Sequence, residues 1–274
     1  AEAEARLRES RALADAALQK ARSALSDPSP AVREAGVAVL ADCPVKEALP
    51  LLLSMLDDGD ATVRVAAARA LSRRPTPEPQ ALSALRLSLR DQDARVLVAA
   101  RSALLAFGDR EQRAQLRVLV AHTDPEVRRL MAEGIAAAAD VTLIDVIERL
   151  LTDEVPAVRC AAARALATLK PGDPRAVALL GAIEDAKQRL IAAPRLPLSV
   201  ALPLIEKGAS DSDPQMRRLA IEAVLELPAR AAEGEVPRAA ILRRLRLTED
   251  ADPMVAARAK SVLSRILARG SKKS

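Results

Sequence analysis

The chain has 274 residues, half of them hydrophobic, with 42 Lys and Arg against 37 Asp and Glu. Trp and Tyr are absent, Phe107 is the single aromatic and His122 the single histidine; this excludes an aromatic core, a histidine-rich metal centre and a stacking platform for single-stranded nucleic acid. No apolar run approaches the roughly 18 residues of a membrane span, and Cys43 and Cys160 match no metal or redox spacing, so both are read as free thiols.

Residues 2–25, rich in Ala, Arg and Glu with Leu7, Leu18 and Leu25, predict a helix that caps an array or continues an upstream element. This charged, alanine-rich start is unlike a secretion signal and points to the cytoplasm; a first residue other than Met points to trimming or excision from a longer chain. Then a pattern begins in which an acidic residue precedes a turn and Val or Met opens a helix. Its copies are Asp27 to Val32-Arg33, Asp58 to Val63-Arg64, Asp91 to Val96-Leu97, Thr123-Asp124 to Val127-Arg128, Asp153 to Val158-Arg159, Asp211 to Met216-Arg217 and Asp250 to Val255-Ala256. The Val/Met positions lie 31, 33, 31, 31, 58 and 39 residues apart, the period of a repeat with two helices per unit.

With Val or Met as position zero, small apolar residues fall at +3, +4, +7 and +8, as in Ala66, Ala67, Ala70 and Leu71, which is one buried helical face. Position −3 holds Ser29, Asp60, Asp93, Asp124, Asp213 or Asp252 in six copies, N-cap types whose side chains accept a free N–H of the first turn. Proline follows at the first helical position in five copies, where its missing N–H costs nothing. A first helix precedes each marked one, over about 45–56, 78–89, 110–121, 141–151, 199–207 and 236–247; Pro50 and Pro203 inside two of them predict bends. The 58-residue interval breaks the pattern: Asp173-Pro174 predicts a long helix to about Ala192, and the loop around Arg195 is expected to project as a candidate contact.

This pattern resembles HEAT repeats of the short bacterial kind, as in phycobilisome lyase-like repeat proteins, over roughly residues 27–269. The resemblance implies an all-α fold, an α-solenoid of stacked antiparallel helix pairs, and a bacterial, cytoplasmic interaction protein. It further implies that Asp at −5 and Arg at +1 form a ladder between neighbouring repeats, interrupted at Leu97 and Ala256. One continuous array over 1–274 is expected, with a cap over 1–26, regular repeats over 27–172, a degenerate repeat or insertion over 173–198, last repeats over 199–269 and a flexible tail over 270–274.

Chemistry is poorly supplied. HEAT-repeat enzymes that hold two irons use paired His-Glu motifs, which one histidine cannot furnish; no phosphate loop, nucleophile elbow or zinc helix occurs. We therefore expect no enzyme, no cofactor, no metal and no small-molecule substrate. Binding remains, and in HEAT arrays the second helices line the concave face, so positions +2 and +6 are the candidate surface. They supply Val65, Arg69, Val98, Arg129, Arg164 and Arg218, a mixture of apolar and cationic side chains that fits a protein or peptide partner. The alternative is nucleic acid or another anionic surface at the C-terminal end. From Arg243 to Ser274 nine Lys and Arg face three acids, with Arg243, Arg244 and Arg246 as the candidate anion-binding residues.

Overall fold

Helices whose apolar side chains are mostly alanine bury them only by approaching their neighbours closely. The structure, a computed structural model that describes residues 18–41, 43, 46–74, 78–227 and 238–270, is all-helical over those residues. It divides into two compact units, Ala1–Ala165 and Leu166–Ser274.

The first unit contains α1 (described over 18–25), α2 (Pro30–Ala41), α3 (Ala48–Ser54), α4 (Ala61–Ser72), α5 (Pro79–Ser88), α6 (Ala94–Ala106), α7 (Gln112–Val118), α8 (Pro125–Ala137), α9 (Ile144–Leu150) and most of α10 (Pro156–Leu169). Even-numbered helices are the marked ones, and α2 packs on α4, α4 on α6 and α6 on α8. Alanine makes this possible: Ala67, Ala68 and Ala70 of α4 and Ala99, Ala100 and Ala103 of α6 are buried beside Leu71 and Leu104. The expected helix over 2–25 lies outside the described residues except for 18–25.

The second unit contains α11 (Pro174–Gly181), α12 (Ala186–Ala192), α13 (Leu198–Ala209), α14 (Pro214–Glu226), α15 (Arg238–Arg244) and α16 (Pro253–Gly270), with α12 on α14 and α14 on α16. The long helix expected from Asp173 to Ala192 is thus a pair of short ones. A second cap breaks it: the Asp185 side chain accepts the Gln188 N–H at 2.7 Å. The 58-residue interval therefore contains a full helix pair whose second member lacks the Val-Arg start.

Caps at −3 are formed by Asp60, Asp93, Asp124, Asp213 and Asp252, each accepting a backbone N–H two residues on at 2.8 Å. Each is worth about 1 kcal/mol. In the first copy the −5 acid Asp27 accepts the −3 N–H, that of Ser29, at 2.8 Å, as the −5 acids do in later copies. Pro50 stands in the first turn of α3, where no backbone bond is lost, whereas Pro203 lies inside α13. The Arg195 segment does not project: Ala193 and Pro194 are buried in a 3₁₀ turn, and Arg195 Nη1 donates to the Ile191 carbonyl at 3.3 Å. Ala193, Pro194 and Leu196, all buried, hold that turn against the second unit. Among the described residues no helix is long and apolar enough to cross a membrane.

Candidate functional site

The recurring Asp and Arg come together in a fixed arrangement. Arg33 Nε and Nη2 grip the two carboxylate oxygens of Asp58, each at 2.8 Å. Arg64 does the same to Asp91 at 2.7 and 3.0 Å, Arg128 to Asp153 at 2.7 and 2.9 Å, and, in the second unit, Arg217 to Asp250 at 2.8 and 2.9 Å. The remaining nitrogen turns back: Nη1 of Arg33, Arg64, Arg128 and Arg217 donates to the carbonyl at −5 of its own copy. Every rung therefore fastens one helix start to the next while holding its own turn closed.

The carboxylates also accept the N–H at −3, from Asp60, Asp93, Val155 and Asp252. The guanidinium is the main reason that Asp58, Asp153 and Asp250 lie below the usual carboxylate range. At Asp91 burial pushes the other way as the largest single effect, and Arg64 together with the Asp93 N–H outweighs it. All these pairs are mostly buried and mutually satisfied, which makes them scaffold and not contact surface.

The interruption at Leu97 is matched on the other side. His122 stands where the next Asp is due, and its Nδ1 accepts the Asp124 N–H at 3.1 Å. Both charges of that rung are absent, so neither is stranded. Arg159 supplies the +1 position of its copy but bonds, among the described residues, the carbonyls of Asp153 and Glu154.

Positions +2 and +6 divide. Val65 and Val98 are buried, at 9% and 0% exposure, and present nothing to a partner. The reason is three-sided packing: α4 and α6 each lie between two second helices as well as against a first helix. At the same +2 position Arg129 reaches out because its long side chain carries the charge past the contact. Arg218 is half-buried, and its Nε has no hydrogen-bond partner among the described residues.

The +6 residues converge. Glu133 of α8 receives Arg129 Nη1 at 2.5 Å, Arg69 Nη2 of α4 at 3.0 Å and Arg164 Nη2 of α10 at 3.5 Å. Arg129 also grips both carboxylate oxygens of Glu126 at 2.5 and 2.8 Å, and these two carboxylates raise its pKa. Arg69 reaches Glu133 across α6, whose Ala99, Ser102 and Ala103 form the floor of a groove of about 490 Å³ including its open mouth. Ser72, Arg73, Leu130, Gly134 and Ala137 complete the lining. Gly134 is required there, because a Cβ at that position would stand 2.0 Å from Ser102 Oγ.

The +6 residues Arg69 and Arg164 thus meet at Glu133, while Arg73 and the groove lie outside the reading of positions +2 and +6. The available signal was the run Arg69 and Arg73, one turn apart on a single face.

In the second unit, Glu222 at +6 of α14 pairs with Arg258 of α16, its oxygens accepting at 2.5 and 2.9 Å. Arg244 pairs with Glu206 at 2.8 Å, while Arg243 and Arg246 are exposed. Lys272 and Lys273 lie outside the described residues. Arg195 Nη1 meets Glu226 at 3.4 Å.

A family model described as HEAT repeats matches residues 18–105 and 113–194. A second, described as a HEAT repeat associated with sister chromatid cohesion, matches 202–224. Among solved structures, the complex of CpcE and CpcF of phycocyanin lyase from Nostoc is 21% identical, covering 91% of this chain and 94% of that one, with a TM-score of 0.50. Human deoxyhypusine hydroxylase is 19% identical, covering 94% and 98%, with a TM-score of 0.40. A designed armadillo repeat protein is 20% identical, covering 80% and 99%, at 0.31. Among curated protein sequences none matches this chain.

Proposed function

Because the chain belongs to the HEAT-repeat family, we propose that it is a non-enzymatic interaction scaffold that holds a protein partner on the exposed strip of its second helices in the first unit. The observation that carries this reading is the convergence of Arg69, Arg129 and Arg164, from three different helices, on the single carboxylate of Glu133 beside a groove floored by small apolar side chains. Charged rims around apolar floors favour protein surfaces, where arginine is enriched and a few anchors dominate. The phycocyanin lyase structure is itself a complex of two chains, which fits a repeat surface made for another protein. Affinity capture from the native cell followed by mass spectrometry identifies the partner. Its recovery should drop with Arg69→Glu and Arg73→Glu at unchanged helicity, and unchanged recovery rejects this surface.

A second reading is anion binding at the end of α15, favoured by Arg243 and Arg246, which are exposed and have no ion-pair partner among the described residues. Nucleic acid bound there would weaken steeply with salt. Arg243→Glu with Arg246→Glu should then abolish the binding of a duplex oligonucleotide; equal retention by wild type and variant discards it.

A further inference from the structure

The groove between α4, α6 and α8 leaves polar groups without a hydrogen-bond partner among the described residues. Arg69 is 43% exposed and lies 3.0 Å from Glu133 Oε2, yet that oxygen takes part in no hydrogen bond of good geometry. Beneath it, Ser102 is 7% exposed and its Oγ has no hydrogen-bond partner. Arg73 lines the same groove, is exposed and has no ion pair among the described residues. Glu133 is already shared with Arg129 and Arg164, and Glu126 is taken by Arg129. Arg69 and Arg73 thus keep donors to spare at the groove, and the Ser102 hydroxyl and Glu133 Oε2 stand without a hydrogen bond among the described residues. A guanidinium offers five N–H donors and accepts nothing, so the donors that Arg69 and Arg73 leave open are served by an incoming acceptor-rich group.

We propose that this groove takes a carboxylate side chain from an acidic segment of the partner, with Arg69 and Arg73 as the clamp and Glu133 as the internal competitor it displaces. This rests on the scaffold reading above and names the chemistry that the surface selects. The floor of Ala99, Ala103, Leu130 and Ala137 accommodates a small apolar residue next to the acid. A phosphate backbone is disfavoured because Glu133 lines the groove and repels a continuous line of negative charge.

The test selects short random displayed peptides on the full chain and measures the winners by fluorescence anisotropy. Enriched peptides should carry Asp or Glu beside an aliphatic residue, and replacing that acid by its amide should weaken binding on the order of tenfold. Arg73→Ala, at a site with no structural partner, should weaken it comparably, whereas Glu133→Gln should tighten it severalfold because the competing carboxylate is gone. That gain is the diagnostic reading, since a purely structural Glu133 would give a loss.

Acidic peptides that ignore Arg69→Glu and Arg73→Ala overturn the proposal, as does equal competition by a single-stranded oligonucleotide or the absence of any enriched peptide. Enriched peptides without acids that are still lost on substitution along α4 or α8 overturn the carboxylate assignment and leave the scaffold reading standing. Enriched peptides indifferent to every second-helix substitution overturn both.

Discussion

Ala139 shows how a single backbone angle separates one copy from the next. After α6 the chain leaves the helix through Gly108 at φ 92°, with the Asp109 N–H returned to the Leu104 carbonyl. After α8 the same closing bond runs from Asp140 N–H to the Ile135 carbonyl, but the left-handed residue is Ala139 at φ 51°. A Cβ in that region costs about 1–2 kcal/mol, partly offset by the greater chain entropy that glycine loses on folding. Ala139→Gly should therefore stabilise the protein by about 0.5–1 kcal/mol, read as a higher urea midpoint with unchanged slope. Gly108→Ala should lower it by a similar amount; equal midpoints for all three proteins would show that the strain is relieved elsewhere. The need for glycine there was not legible in the sequence, since Ala139 carries no mark of a left-handed turn.

Helix pairs are where sequence and structure meet most closely. Caps and rungs recur because each repeat needs its start fixed in the same way: Asp60 and Asp93 announce their caps by position, while the rung role of Arg64 and Arg128 comes from the resemblance to HEAT repeats. The α11–α12 pair was not legible as a pair because Asp185 caps a helix without the Val-Arg start. Burial at Val65 and Val98 was not legible either, since it depends on a second helix packed on each flank.

The absent rung tests this logic. Leu97→Arg places a guanidinium opposite His122, and His122→Asp supplies the acceptor while keeping the bond from the Asp124 N–H. Made together they should recreate the geometry of Arg64 and Asp91, with a coupling of about 1 kcal/mol beyond the sum of the single changes. Additive single effects in a double-mutant cycle would mean that α6 and α8 are not spaced for a rung.

Close approach of those same helices gives a second expectation. Gly134→Ala normally favours a helix by about 1 kcal/mol, but here the new Cβ meets Ser102 Oγ at 2.0 Å and Ser102 Cβ at 2.3 Å. Overpacking of that kind costs about 1–3 kcal/mol. The variant should be destabilised, and Ser102→Gly should restore it in combination. A stabilised single variant would show that α6 and α8 separate freely.

Across the whole molecule the ladder makes stability depend on pH in one direction. Asp58, Asp91, Asp153 and Asp250 all have folded-state pKa values below the ordinary carboxylate value. A depressed carboxylate contributes stability that is fully present above its unfolded pKa of about 3.9 and is lost as pH falls through the lower folded value. Urea midpoints should hold from neutrality to about pH 5 and then fall below about pH 4, as the rungs of both units take up protons. The sign follows from the unfolded chain binding more protons than the folded one in that window.

One rung can be removed without stranding a charge. Replacing Arg128 by Met and Asp153 by Asn nearly keeps the volume, leaves an acceptor for the Val155 N–H and deletes one depressed carboxylate without stranding a charge. Removing Asp153 alone leaves Arg128, 7% exposed, without its carboxylate and should cost about 3 kcal/mol. The double replacement should flatten the acid limb of the profile while leaving the neutral midpoint nearly unchanged. An acid limb as steep as that of the unaltered protein would place the titrating groups outside the ladder, among caps such as Asp60 and Asp93, whose acceptor bonds also hold them below the ordinary range.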